Sequence, residues 1–70
     1  GDLMDEKFVF PFQVGQKVSM KCRTAEFAEN YRTIQGKVIF VSERIFVIDT
    51  GKRRESFTKG EWISGAVKVV

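Results

Sequence analysis

The chain has no histidine, one cysteine and one proline among its 70 residues. Without histidine, the ordinary Ser–His and Cys–His nucleophile systems are excluded. The one thiol, Cys22, can make no internal disulfide and cannot build a zinc site alone. A lone cysteine also fits a reducing compartment. No run approaches the roughly 20 apolar residues of a membrane-spanning helix. The glycines are scattered, and none follows the spacing of a phosphate-binding loop. The first residues are acidic, and no apolar core of a signal peptide follows them. The expectation is a cytoplasmic protein that is not an enzyme. It has no cofactor, no metal, no small-molecule substrate and no membrane partner.

Acidic excess is also missing. Twelve basic residues stand against nine acidic ones, giving a net charge of +3 and a pI near 9.3. A basic pI can mark a nucleic-acid surface, but so mild an excess also suits a mixed, solvated one. Seventy residues make one domain, and a chain this short buries only about 60% of its unfolded surface. Seven Phe, one Trp and one Tyr supply bulk instead. Self-association is the remaining source of stability for so small a domain.

The densest apolar stretch is Ile34 to Gly51. It holds Val38-Ile39-Phe40-Val41 and Ile45-Phe46-Val47-Ile48, parted by the polar turn Ser42-Glu43-Arg44. Apolar residues fill both parities of both runs, so the hairpin needs cover on two faces. One cover is a barrel interior. The other is either the chain's own N-terminal arm or a neighbouring subunit.

Residues 1–13 read as that arm, and 14–70 as the domain. In the arm Phe8, Phe10 and Phe12 alternate with other residues, which is period two. Pro11 cannot donate to a ladder, so this segment suits an edge or an unpaired arm. Val18, Met20 and Cys22 then alternate with Lys17, Ser19, Lys21 and Arg23, the pattern of a half-buried strand. Thr24 to Tyr31 is expected to be a loop or a single helical turn. A second strand spans Arg32 to Val41, with a bulge or sharp bend at Gly36. The third is Ile45 to Thr50 and the fourth Arg53 to Thr58. A 3-10 turn covers Lys59 to Trp62, and the last strand runs within Ile63 to Val70. Val18, Met20, Phe57 and Val67 are expected to line the interior. The fold expected is all-β: a small, five-stranded, strongly bent barrel with a short 3-10 turn before the last strand.

This order of elements fits the SH3-like barrels as a class. More narrowly, Gly36-Lys37-Val38, Val41 and Ile45-Phe46-Val47-Ile48 resemble the first motif of the Sm-like family, which includes the bacterial Hfq proteins. Ile34-Gln35-Gly36 is similar to the Hfq form of that stretch. Lys59-Gly60-Glu61-Trp62-Ile63 looks like the second Sm motif. The resemblance covers about half the chain and implies a ring of subunits that binds RNA. Ser42 stands where the Sm pattern has an acidic residue, and Phe46 where it has a base-contacting Asn. Gly60 stands where the Hfq pattern has the His of a Lys-His pair. Only Lys59 carries over.

Three groups of residues suit nucleic acid on their own chemistry. Lys17, Lys21 and Arg23 lie on one strand parity, about 7 Å apart for every second residue, so phosphates could be neutralised in series. Arg44 and Lys52-Arg53-Arg54 sit at turns, where long basic side chains reach phosphates and Arg can stack on bases. Tyr31 lies outside the core pattern and is the aromatic best placed for stacking, whereas Phe27 and Trp62 read as core. The competing readings are a solvated strand face and edges protected by charge. Two functions follow. One is a nucleic-acid-binding module, RNA before DNA, acting mainly through backbone charge. The other is a homo-oligomeric interaction or structural module with no nucleic acid ligand.

Overall fold

The computed structural model describes residues 8–23 and 31–70. The polar start of the chain, most of the expected loop at 24–31, and Phe27 lie outside the described residues. Five antiparallel strands form one sheet: β1 (Lys17–Arg23), β2 (Tyr31–Val41), β3 (Ile45–Asp49), β4 (Arg54–Thr58) and β5 (Val67–Val69). Their spatial order is β4-β3-β2-β1-β5. β4 and β5 are the edges, and among the described residues no ladder joins them. The sheet is therefore open where closure into a barrel was expected.

The connection between those edges also differs from expectation. Lys59–Ser64 is a short α-helix, α1, rather than a 3-10 turn. The cause is local. The Thr58 hydroxyl accepts from the Glu61 N–H at 3.1 Å, and the Glu61 carboxylate accepts from the Thr58 N–H at 2.9 Å. This reciprocal capping box satisfies two orphan donors and starts a true helix. Gly65, at φ +82°, ends it in the left-handed conformation.

β2 is shared between two neighbours. Residues 31–37 pair with β1, and 37–41 pair with β3. Gly36, where a bulge or bend was expected, stays in register opposite Val18; the irregularity in the ladder lies further on, between Val38 and Phe40. A Cβ on Gly36 would collide with the Asp49 carbonyl oxygen and lie 2.6 Å from Ile48 Cγ2. The missing side chain thus lets the end of β3 pass close against β2. Beyond that crossing, the β3–β4 turn approaches the first half of β2.

A charged clamp fastens this approach. Both amino groups of Arg32 donate to the Glu55 carboxylate, one of them at 3.2 Å, and Arg53 Nε adds a contact at 3.4 Å. The Arg32 hydrogen bonds, more than its charge alone, hold the Glu55 carboxyl below its ordinary value of 4.5. A depressed carboxylate stabilises the fold above its unfolded pKa and loses that contribution as pH falls through the lower folded value. Glu55→Gln is therefore expected to cost about 1 kcal/mol at neutral pH, since Arg32 is partly exposed and the pair is screened. Its stability should also fall less steeply below about pH 4.5. Urea melts at neutral and acid pH measure both. An unchanged acid limb in the variant would remove Glu55 from this role.

The core is aromatic. Phe10, Met20, Val38, Phe46, Ile48 and Val67 are fully buried, joined by Phe12, Cys22, Ile34 and Phe57. Val18 and Trp62 pack partly buried against them. Burial pushes the Cys22 thiol up, as for an inert buried hydrophobe. The Phe arm folds back into this core. Phe10 and Phe12 each place their rings 4.9 Å from Phe46, and Phe12 lies 5.3 Å from Trp62. Pro11 is exposed and lies outside the strands, where its missing N–H leaves no ladder bond unmade. Behind it the Gly15 N–H donates to the Val38 carbonyl at 2.7 Å, tying the arm to β2.

The two covers expected for the hairpin are thus one. Val38, Phe46 and Ile48 face the interior, and the arm packs on that same side. On the other face Ile39, Ile45 and Val47 are half-buried and Phe40 stays 49% exposed.

Candidate nucleic-acid interface

β1 buries Met20 and Cys22, so Lys17, Ser19, Lys21 and Arg23 occupy its other face. The register then decides what lies beside them. Lys17 is directly opposite Lys37, Ser19 opposite Gln35, Lys21 opposite Thr33 and Arg23 opposite Tyr31. On the far side of β1, Lys21 is directly opposite Lys68 of β5. Five cations therefore share the outer face of β2-β1-β5, interleaved with Ser19, Thr33, Gln35 and Tyr31. No carboxylate stands in these ladders. The nearest in register is Asp49, across β2 from Lys37, and its Oδ1 accepts from the Gly51 N–H at 2.8 Å.

Like charges directly opposite in an antiparallel pair destabilise it, by some tenths of a kcal/mol to about 1. This face holds two such pairs, Lys17–Lys37 and Lys21–Lys68. At the first pair the sheet opens into a groove of about 480 Å³. Lys17, Ser19, Gln35 and Lys37 line it from one side, and Asp49 and Gly51 from the other. At the opposite end Tyr31 is 38% exposed, with Lys68 Nζ 5.4 Å from its ring centre. A hydrogen bond with Arg23 and the charge of Lys68 lower the Tyr31 phenol from its ordinary value.

The other predicted residues lie elsewhere. Lys52 and Arg53 line a separate groove of about 420 Å³ beside the Arg32–Glu55 clamp, and Arg53 is engaged by Glu55. Arg54 is opposite Asp49 on β4. Arg44 and Lys59 meet at the far end of β3, where the Lys59 N–H donates to the Arg44 carbonyl at 2.8 Å. The Lys59 ammonium sits 5.0 Å from the Phe8 ring centre. Among the aromatics, Trp62 is committed to the core through Phe10, Phe12 and Phe46.

Of the nine predicted residues, four thus share one face: Lys17, Lys21, Arg23 and Tyr31. Lys37 and Lys68 complete it and were not predicted. Alternation in Ala66-Val67-Lys68-Val69-Val70 marks the parity of Lys68, but only the pairing of β5 with β1 sets it against Lys21. Lys37 follows Gly36 in a stretch whose apolar pattern speaks of fold.

Compared with protein families, curated proteins and solved structures, the chain matches none.

Proposed function

We propose that the chain is a small SH3-like module, Sm-like in its strand plan, that binds nucleic acid without catalysis. The observation that carries this reading is the outer face of β2-β1-β5, where two lysine pairs stand opposed and none of the residues paired in these two ladders is a carboxylate. Such pairs weaken the sheet by themselves and gain when a polyanion lies over them. The close approach of β3 to β2 at Gly36, the strand order and the helix between β4 and β5 support the fold assignment. Ser19, Thr33 and Gln35 between the cations support RNA over DNA, because hydroxyls and amides can bond a ribose 2′-OH. The absence of histidine supports a non-catalytic role.

Filter binding of a single-stranded RNA across a salt series tests the reading. With about four phosphates neutralised, log affinity should fall against log salt with a slope near −3, at about −0.7 per phosphate. No binding at about 50 mM salt would sink it.

A second reading is a homo-oligomeric interaction module. The partly open face of Ile39, Phe40, Ile45 and Val47 favours it, with another copy of the chain as the partner. Light scattering after size exclusion decides this reading, and a monomer at high concentration removes it.

A further inference from the structure

Resting on the nucleic-acid reading, we propose that the ligand is one unpaired strand laid along β1, from the Gly36 groove to Tyr31. Each lysine pair seats a phosphate, and Tyr31 stacks a base.

The geometry of the face sets this path. Directly opposed residues have Cβ atoms about 5 Å apart, so two lysine ammonium groups can close on one phosphate between them. The Lys17–Lys37 seat lies between β1 and β2, and the Lys21–Lys68 seat between β1 and β5. Four residues along β1 and one strand spacing across separate the seats, which is about 14 Å. A stacked strand advances about 3.4 Å per nucleotide, so about four nucleotides bridge the two seats. The whole row from Lys17 to Arg23 spans about 20 Å, or about six stacked nucleotides.

Width and chemistry argue against a duplex. β2, β1 and β5 together are about 10 Å across, room for one backbone and its bases. Tyr31 stands at the end of this strip, 38% exposed with Lys68 Nζ over one face of its ring, and a ring stacks only on a base freed from its pair. Lys68 touches both elements of the site: its ammonium lies near the Tyr31 ring, and its backbone is paired with Lys21. Phosphate seat and stacking platform are therefore contiguous. Ser19 and Gln35 lie between the seats and face the sugars of the bridging nucleotides.

Fluorescence anisotropy with labelled single-stranded RNA of increasing length tests this, with a blunt RNA duplex alongside. Affinity should rise with length and level off near six nucleotides, and the duplex should bind about tenfold more weakly. Tyr31→Ala should weaken single-strand binding about tenfold, and Tyr31→Phe should retain it. Lys17→Glu turns an opposed like pair into an ion pair with Lys37. That variant should melt about 2–4 °C higher than the wild type while binding at least tenfold more weakly. Because it gains stability, loss of folding cannot explain its weaker binding. Equal binding of single strand and duplex overturns the proposal, as does an unchanged Tyr31→Ala. Either result leaves nucleic-acid binding itself standing. Absence of binding to every probe at low salt overturns both.

Discussion

Phe10→Ala is expected to cost about 3–5 kcal/mol, the range for removing a fully buried aromatic from a core. Phe10 retains 1% of its surface and touches Phe8, Phe12, Phe46 and Trp62 through their rings. A domain of this length has only about 4–10 kcal/mol in all, so this one substitution should remove a large share of its stability. Urea denaturation followed by Trp62 emission reports this, because the indole packs against the same rings. Val9→Ala is the control. Val9 is 76% exposed on the same arm and should shift stability by no more than about 0.5 kcal/mol. Equal effects of the two substitutions would mean that the arm is not part of the core.

Gly36→Ala is expected to cost about 3 kcal/mol, at the upper end of overpacking penalties. The reason is not conformational preference, since Gly36 is not among the glycines with positive φ. It is space: the added methyl meets the Asp49 carbonyl and Ile48 Cγ2, and the carbonyl belongs to backbone that cannot turn aside. Relief requires β3 to lift from β2. That would also loosen the Arg32–Glu55 clamp and open the groove beneath Lys17 and Lys37. The variant should therefore lose both thermal stability and affinity for single-stranded RNA. For comparison, Gly60→Ala lies in α1 with only the Thr58 hydroxyl 3.8 Å from its new methyl. Replacing glycine inside a helix should stabilise by about 0.5–1 kcal/mol. If calorimetry finds Gly36→Ala as stable as the wild type, the close crossing of β3 over β2 is wrong.

Much of the strand plan was legible because its signals are local. Alternation of Val18, Met20 and Cys22 with Lys17, Ser19, Lys21 and Arg23 marks β1 and names its polar face. Ser42, whose hydroxyl accepts from the Arg44 and Ile45 N–H groups, marks the turn between β2 and β3. The helix was read as a 3-10 turn over Lys59 to Trp62. The capping box Thr58–Glu61 was in the sequence and starts a true helix instead. The basic face was half legible. Parity shows which way Lys21 and Lys68 point, yet they are 47 positions apart in the chain. Only strand pairing sets them side by side. Arg32 and Glu55 were illegible for the same reason, since their contact depends on the close approach of β3 to β2 at Gly36.

By itself the sequence determined the chemistry available: no imidazole, one thiol, a surplus of aromatic bulk and a modest excess of cations. It also determined the periodicity that makes each strand two-faced, because side chains alternate regardless of partners. Tertiary structure alone decided which faces are wet. The Phe arm went to the same side as the interior, where Phe10 and Phe12 pack on the rings of Phe46 and Trp62. That left the face around Phe40 partly open. Register then placed lysine against lysine on β1's outer face, where water screens the charges and apolar burial elsewhere outweighs their repulsion.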